Sequence, residues 1–397
     1  GKKQVAFEVV EARTENALSF DPQLGSKGGN ATCPFCGTVA DSNYLKEVGH
    51  VAGYGLQLMA VMAIRPGKKG KLYLGCNEVI FNDLPLDGRM KSIEARSGLK
   101  PPDEPLEANP RSFDVQRYGF SKWRMAFTNR QVVTHLAVAA NLRDALPEIQ
   151  KLSSSTEQAL AVYTCTALAF SRLVTQHNAF AFLHSGRETI EGPWGDGKFP
   201  MSWDFVEANL FSGSGASFHN ALQWATAAYA MLSDISVACN VTRGNAKLLS
   251  HPDGFFDCVI TDPPYYDSVS YSNLSDAYYV WLKQTLGGSY PEHFATELTP
   301  KKTEAIMAAY RHGNDKENAS AAYESMMLGS LSEARRVLKP GGLLAIVYAH
   351  KTTLGWATLV DALRGSGFII DEAWPLDTEM KGGRKKTDKA MLASSIF

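Results

Sequence analysis

Hydrophobic and polar residues follow two different periods along this chain. From Asn129 to Ile149 and from Ser154 to Gln176, apolar residues recur every three or four positions, which predicts two amphipathic helices. Continuous apolar runs over 255–261 and 343–348 instead predict buried strands of a parallel sheet. Further helices are predicted by spacing at 217–232, 275–282 and 358–364, and before Leu338. Helices that alternate with apolar strands indicate the α/β class.

Other parts of the pattern are less regular. Residues 45–81 predict short strands and turns, and residues 82–116, rich in Pro, Asp and Glu, predict a linker or mobile loop. A short strand is expected near Val241. Near the end of the sequence, 368–370 and 391–397 are expected to pair as antiparallel strands. The pattern therefore places strands outside the parallel sheet as well as within it.

The strand at 255–261 runs directly into Asp262-Pro263-Pro264-Tyr265. The two prolines end the sheet pairing because neither can donate a ladder hydrogen bond. A rigid loop therefore follows at the carboxyl end of the strand, where open α/β sheets bind ligands. Asp262 and the Pro263 carbonyl can accept the two N–H protons of a nucleobase amine, and Tyr265 can stack on a base swung out of the helix. The alternative is a proline-rich turn with Tyr265 packed on the surface.

One cysteine pair has metal-ligand spacing. Cys33 and Cys36 form a CxxC knuckle, whose two thiolates supply half of a structural zinc site. The other cysteines stand alone, so no second pair completes the set: Cys76, Cys165, Cys239 and Cys258. Of these, Cys165 and Cys258 are expected in core positions. The alternative for the CxxC pair is two reduced cysteines in a turn without metal.

Composition adds bounds on size and partners. With 397 residues and 45% hydrophobic residues, the chain can bury more than one core, so two or three domains are expected. The net charge of −1 excludes nucleic-acid binding by bulk charge, so any DNA affinity has to come from local basic patches. Two Gly-containing clusters qualify, although such runs are also typical of solvated loops: Arg65, Lys68, Lys69 and Lys71, and Lys381, Arg384, Lys385, Lys386 and Lys389.

Composition also bears on compartment. No run of about eighteen uncharged apolar residues exists, so no membrane span is expected. The first residues lack the apolar core of a signal peptide, and few scattered cysteines are typical of a reducing compartment. We therefore expect a cytoplasmic protein.

Several longer stretches carry a family resemblance. TDPPYYDSVSYSNLSDAYYVWLK, YAHKTTLGWATLVDAL, AWPLDTE and ASSIF together resemble the adenine-specific DNA methylases that contain a zinc ribbon. CPFCGTV, HSGRETI and PMSWDFVEANLFS resemble the middle region of that family, and LKPGG between a helix and a strand resembles many S-adenosylmethionine-dependent methyltransferases. The resemblance covers nearly the whole chain. It implies a Rossmann-like sheet, methyl transfer from S-adenosylmethionine to adenine N6 in DNA, and a catalytic motif of Asp262, Pro263, Pro264 and Tyr265.

The resemblance also implies where a cofactor binds. Related enzymes carry a GDA turn whose polar side chain meets the cofactor's adenine, and Gly244 and Asn245 occupy that place, with Asn where Asp is usual. Asp262 is expected to border the cofactor as well as the target base. The string FSGSG at 211–215 matches the FxGxG turn of such enzymes, but no apolar strand precedes it, which favours a loop. In the family the glycine motif and the second cysteine pair lie upstream. A further segment or second subunit is therefore expected to complete the cofactor site and the zinc ribbon.

Four segments are predicted from these features. They are a partial zinc-ribbon and β region (1–81), a linker or mobile loop (82–116), a helical insert that is a candidate target-recognition region (117–200), and a methyltransferase catalytic domain (201–397). The predicted function is DNA adenine-N6 methylation. Cytosine N4 uses the same geometry, although those enzymes more often carry Ser at the first motif position, and RNA adenine is a further alternative. The non-enzyme alternative is an incomplete methylase half that serves as a DNA-binding subunit.

Overall fold

The computed structural model describes residues 5–12, 14, 25–65, 67, 70–79, 85–109, 111–194, 197–233, 235, 237, 239–266, 269–350, 352–376 and 395–396. The chain divides into two compact units. The helical unit comprises residues 1–234 and 273–299, and the sheet unit comprises residues 235–272 and 300–397. These units group residues differently from the four predicted segments, whose division stays a prediction.

The α-helices in the described residues begin mostly at capping side chains. Asp41, Thr128 and Ser155 each accept a hydrogen bond from a backbone N–H of the first turn that has no partner within the helix. The helices are α1 (Ser42–Val51), α2 (Leu86–Ser97), α3 (Asn129–Leu152), α4 (Thr156–Gln176), α5 (Phe218–Leu232), α6 (Tyr271–Leu286), α7 (Lys316–Val337) and α8 (Thr353–Gly365).

The strands in the described residues are short, with one exception in the sheet unit. Most pair antiparallel as hairpins, whereas β8 and β9 pair parallel. The strands are β1 (Ser26–Lys27), β2 (Asn30–Thr32), β3 (Val39–Ala40), β4 (Ala60–Ile64), β5 (Lys71–Gly75), β6 (Phe182–His184), β7 (Thr189–Glu191), β8 (Phe256–Thr261), β9 (Leu338–Ile346), β10 (Pro375–Leu376) and β11 (Ser395–Ile396). The α/β class and the parallel pairing are thereby confirmed.

The core of the helical unit follows the predicted helical periods. On α3, Val132, Leu136 and Ala139 form a buried stripe at helical spacing. On α4, Tyr163 and Phe170 do the same, and the two helices pack against each other. The predictions of helices at 129–149 and 154–176 are confirmed. The helical unit therefore has a hydrophobic core of its own.

The core of the sheet unit lies on one face of the parallel pair. Ile346 pairs with Thr261 and packs toward Tyr323 and Met327 of α7, and Leu359 of α8 joins the same cluster. Between Phe256 and Cys258 the register shifts, so that the partner moves from Leu338 to Leu343; these pairs sit on either side of the Lys-Pro-Gly-Gly stretch. The predicted helix before Leu338 is confirmed by α7, which ends at Val337.

The prediction that these strands are buried is wrong. Ile260 is 72% exposed and Leu343 is 67% exposed, and Cys258, predicted as a core residue, is also exposed. Successive side chains of a strand point to opposite faces, and α7 and α8 supply the described core on one face only. A continuous apolar run is typical of a strand that is covered on both faces, but the described residues cover only one face of this sheet.

Two helices lie where strands or a linker are predicted. Residues 45–51 belong to α1, and residues 86–97 belong to α2, so the linker prediction for 82–116 is wrong there. Leu106 and Phe113 are buried in the core of the helical unit, which also excludes a loose loop after α2. Apolar side chains within this Pro- and Asp-rich stretch thus pack into the core, which composition alone does not predict.

Two strand predictions near the sheet unit also change. Residues 239–244 contain no strand, so the expected strand near Val241 is absent from this described stretch. Residues 395–396 do pair antiparallel, as expected, but with Pro375 and Leu376 rather than with 368–370. The helix at 358–364 is confirmed by α8, and that at 217–232 by α5. Among the described residues, no helix is long and apolar enough to cross a membrane.

Candidate active site

The Asp-Pro-Pro-Tyr loop leaves β8 at the carboxyl end of the parallel pair. The amide of Val347 donates to the Thr261 carbonyl at 2.9 Å, so the ends of β8 and β9 lie side by side. Asp262 follows at once and is exposed, with no hydrogen bond or ion pair to any described residue. The Pro263 carbonyl likewise has no recorded partner among the described residues. One carboxylate and one carbonyl therefore remain available as acceptors at this edge.

The backbone just after these acceptors is held from several sides. The hydroxyl of Tyr323, on α7, donates to the Pro264 carbonyl at 2.7 Å. The Tyr266 amide faces the hydroxyl of Tyr348 at 3.5 Å, and the Tyr266 carbonyl accepts from the Met307 amide at 3.0 Å. The loop is thereby fixed by residues that are distant in sequence.

Aromatic rings surround this loop. Tyr265 is half-buried and meets the ring of Tyr348 edge-on, with centroids 5.1 Å apart. Tyr266 is buried, meets Tyr323 edge-on at 5.2 Å, and its hydroxyl lies 2.7 Å from the Ser320 hydroxyl. The alternative of a turn with Tyr265 packed on the surface is not favoured, because its ring is part of a packed aromatic cluster.

The phenols of Tyr323 and Tyr348 are neutral. Burial raises the pKa of Tyr323, and the neighbouring Tyr348 raises it further. Burial also raises the pKa of Tyr348. Because burial disfavours the phenolate, both hydroxyls keep their protons over the working range of pH. The electrostatic character of the loop is thus set by Asp262, with neutral hydrogen-bonding groups around it.

A second loop, at 300–312, supports the first. Glu304 accepts from the amide and hydroxyl of Ser272 at 2.9 and 2.5 Å, and it forms a partly buried ion pair with Arg311 at 2.8 Å. The Ser270 hydroxyl lies 3.1 Å from that of Tyr310. Sequence reasoning missed these residues, since an acid and a base seven positions apart in a loop follow no recognisable pattern. They fix the exit of the Asp-Pro-Pro-Tyr loop into α6.

The helix predicted at 275–282 is confirmed by α6. Tyr279 and Trp281 of α6 are buried in the core of the helical unit. The Tyr279 hydroxyl donates to the Thr296 carbonyl at 2.8 Å within the same unit. These rings therefore serve the packing of the helical unit.

The turn at Gly244 and Asn245 is exposed and separate from the loop. The Asn245 side-chain oxygen accepts from the Lys247 amide at 3.0 Å, which leaves its Nδ2 as the group that can meet an adenine edge. Glu333 accepts from the Leu249 amide at 2.7 Å, and its ion pair with Arg336 lowers its pKa to about 2. Among described residues, no hydrogen bond or ring contact joins this turn to the Asp-Pro-Pro-Tyr loop.

The FSGSG string lies in the helical unit as an exposed loop. Phe211 is 76% exposed, and a Cβ added to Gly213 or Gly215 would meet nothing within 4 Å. Neither glycine has the positive φ of a tight turn. The loop interpretation of this string fits the structure.

The CxxC pair has the shape of a knuckle but not a complete ligand set. The Cys33 carbonyl accepts from the Gly37 amide at 2.9 Å, and Gly37 has a φ of +68°. Hydrogen bonding to Thr38 lowers the pKa of Cys36. No group of three or more metal-ligating side chains occurs within the described ranges. These residues alone do not fit a structural zinc site, which needs four ligands.

The basic patches fall mostly outside the described residues. In the first, Arg65 is exposed, and the Lys71 amine contacts the Glu188 carbonyl. Lys68 and Lys69 of that patch lie outside the described residues. So does the whole of the second patch: Lys381, Arg384, Lys385, Lys386 and Lys389. Both patches stay predictions.

Comparison with known proteins identifies one region. Residues 256–380 match the N6_N4_Mtase family model, described as DNA methylase. The matched region begins with β8 and includes the Asp-Pro-Pro-Tyr loop, the supporting 300–312 loop, α7, β9 and α8. No curated protein and no solved structure matches the chain. The match supports a DNA methylase family, and with it a methyltransferase that acts on DNA at N6 of adenine or N4 of cytosine.

Proposed function

We propose that this chain is the catalytic part of a DNA methyltransferase that methylates N6 of a flipped-out adenine. The observation that carries the proposal is Asp262, an exposed carboxylate without a partner among described residues, at the carboxyl end of a parallel strand inside the methylase-like region. The adjacent Pro263 carbonyl is the second available acceptor. Two acceptors match the two N–H groups of an exocyclic amine.

The chain's own residues would act mainly by orientation. S-adenosylmethionine, when bound, supplies a methyl group activated by the sulfonium. Asp262 and the Pro263 carbonyl would accept the amine protons and direct the nitrogen lone pair toward that methyl, while Tyr265 stacks on the base. Positioning and fixed dipoles of this kind lower the barrier without a strong base. Asp262 then needs only to receive a proton that the methylated amine loses readily.

The described residues supply part of a site for S-adenosylmethionine, namely a contact for its adenine. The Asn245 side chain offers an amide to the cofactor's adenine, whereas the FSGSG string at 211–215 lies in an exposed loop that no strand directly precedes. We propose that a further segment or a second subunit completes this site. The exposed apolar face of β8 and β9 supports the idea, because parallel sheets are normally covered on both faces.

Calorimetric titration with S-adenosylmethionine tests the completion of the site. We expect no binding to the folded chain alone and recovery of binding when the completing polypeptide is present. Micromolar binding by the chain alone would contradict the proposal and would direct attention back to the exposed loop at 211–215.

Adenine is proposed over cytosine because the first motif position is Asp rather than Ser. The test is nucleoside analysis of unmethylated DNA and RNA after incubation with the full-length protein and S-adenosylmethionine. We expect N6-methyladenine in DNA. N4-methylcytosine would establish the cytosine alternative, methylation of RNA alone would change the substrate, and no methylated nucleoside would favour a DNA-binding role without catalysis.

A further inference from the structure

We propose that Tyr323 is a positioning residue for methyl transfer, and that it acts by reserving the Pro263 carbonyl for the target amine. The inference rests on the proposed function, since it assigns a role within the same site. Tyr323 lies 59 positions beyond Pro264 in the sequence, on α7. It touches neither Asp262 nor Pro263 by any recorded hydrogen bond, so its effect passes through the loop backbone.

The argument begins with the hydrogen-bonding capacity of two successive prolines. Neither Pro263 nor Pro264 has an N–H, so each of these residues presents only a carbonyl as its backbone polar group. Both carbonyls are therefore candidates for accepting from a substrate amine. If both were free, the amine could bind in two registers, and only one would place its lone pair correctly.

Tyr323 removes one of these two acceptors. Its hydroxyl donates to the Pro264 carbonyl at 2.7 Å, the usual length of an O–H···O hydrogen bond, and the side chain is 1% exposed. Its single proton is committed to this bond. The Pro263 carbonyl is left without a recorded partner among described residues, next to the exposed Asp262. The pair of acceptors that remains is the adjacent pair, Asp262 and Pro263.

The ring of Tyr323 is fixed by its surroundings. It packs edge-on against Tyr266 at 5.2 Å and lies in the cluster formed with Met327 and Leu331 of the same helix. Burial raises the pKa of its phenol, so the donor keeps its proton across the pH range of activity. Tyr348 holds the next peptide less tightly, with its hydroxyl 3.5 Å from the Tyr266 amide. Tyr323 is therefore expected to contribute more than Tyr348.

Tyr323→Phe tests the inference because it removes the donor and keeps the ring. We expect kcat for methyl transfer to fall about tenfold to a hundredfold, the effect of a small misplacement of reacting groups. The KM for S-adenosylmethionine is expected to stay within about twofold, because the cofactor contacts are not altered. Tyr348→Phe should show a smaller loss of kcat, in the same direction.

Tyr163→Phe is the matched control. Tyr163 is also 1% exposed, and its hydroxyl donates to the Thr285 carbonyl at 2.6 Å inside the helical unit. Each variant thus loses a hydrogen bond from the hydroxyl of a buried tyrosine to a backbone carbonyl. Tyr163→Phe is expected to leave kcat unchanged. An equal loss of kcat in both variants would mean a general effect of lost stability and would overturn the inference.

Amide hydrogen exchange tests whether Tyr323 holds the loop, independently of whether the proposed function is correct. In Tyr323→Phe, the amides of Tyr265 and Tyr266 are expected to exchange about tenfold faster or more, since the loop opens locally. Tyr163→Phe should leave them unchanged. If the full-length wild-type protein transfers no methyl group, the proposed function fails, while the exchange result still decides whether Tyr323 holds the loop. Unchanged exchange in Tyr323→Phe overturns the inference, and so does unchanged kcat in an active protein.

Discussion

The candidate site depends on a few residues whose individual environments differ sharply. Asp262 is exposed and without a partner among described residues, whereas Tyr266, only four positions later, is buried and bonded on its amide, carbonyl and hydroxyl. The motif itself was predictable from sequence, because its chemistry and its two prolines are contiguous. Tyr323 was not, since a tyrosine inside an amphipathic helix has the pattern of an ordinary core residue. Long-range hydrogen bonds to a loop leave no local sequence signal.

Gly355 gives a test of packing beside the site. A Cβ at this position would lie 2.1 Å from Nδ1 of His350, so Gly355→Ala forces the imidazole or the first turn of α8 to move. We expect a loss of about 1–3 kcal/mol in the free energy of unfolding, the usual range for overpacking. Chemical denaturation of both proteins measures it.

Gly88→Ala is the control for Gly355→Ala. Gly88 is also the third residue of its helix, α2, but an added Cβ would meet only Pro85, at 4.0 Å. This variant should gain up to about 1 kcal/mol, because alanine has the higher helix propensity. A destabilisation equal to that of Gly355→Ala would show that His350 is not the cause.

Among the elements, the long helices were the most predictable and the short ones the least. Helices α3 and α4 combine a capping residue with four or more turns of apolar periodicity, so local rules agree with the fold. Helix α2 was missed because it is polar and precedes a Pro-rich stretch, although Gly98, with a φ of +71° at its end, is a recognisable stop signal. For β8, the apolar run correctly predicted a strand but wrongly predicted that the strand is buried. Burial depends on which elements pack against each face of the strand, and the run itself does not contain that information.

Helices α3 and α4 also place two histidines in the core of the helical unit. His135 Nε2 lies 3.1 Å from His177 Nδ1 and 3.0 Å from the His177 carbonyl, and both residues are buried. Burial lowers the pKa of His135 to about 3 and that of His177 to about 4, from 6.5. Both imidazoles are therefore neutral in the folded protein.

The histidine pair predicts a loss of stability in mild acid. Unfolded histidines take up protons as the pH falls below 6.5, and the buried pair does not, so their contribution is full above pH 6.5 and is lost as the pH falls toward 4 and 3. At pH 5 the loss is at most about 2 kcal/mol for each imidazole. Denaturation from pH 7 to pH 5 measures it. His135→Leu should reduce the slope by one proton, and equal slopes in the two proteins would contradict the assignment.

At the scale of the whole molecule, the described residues of the sheet unit cover one face of the parallel pair and leave the other exposed. Adjacent residues of β8 differ accordingly: Val259 is half-buried and pairs with Leu344 of the core cluster, whereas Ile260 is exposed and pairs with Ala345. Sequence patterning predicted the apolar character of both residues. It could not show that the described chain covers only one of them.

Lysine at these two adjacent positions tests the uncovered face. In the isolated chain, Ile260→Lys is expected to change the free energy of unfolding by less than about 0.5 kcal/mol, as for other surface sites. Val259→Lys should cost more than about 2 kcal/mol, because it buries a charge without a partner. When the proposed completing polypeptide is added, Ile260→Lys is expected to block its association with the chain, so the substitution then has a large effect. Equal costs in the isolated chain would mean that both faces are covered.

The central claim is that Asp262 presents the amine of a DNA base for methylation. The most direct measurement is transfer of labelled methyl from S-adenosylmethionine to unmethylated DNA by the full-length wild-type protein and by Asp262→Ala, with DNA binding measured in parallel. We expect transfer by the wild type, loss of transfer by about a hundredfold or more in Asp262→Ala, and near-normal DNA binding, because the lost contact acts mainly on the reacting amine. Turnover retained by Asp262→Ala would contradict the account.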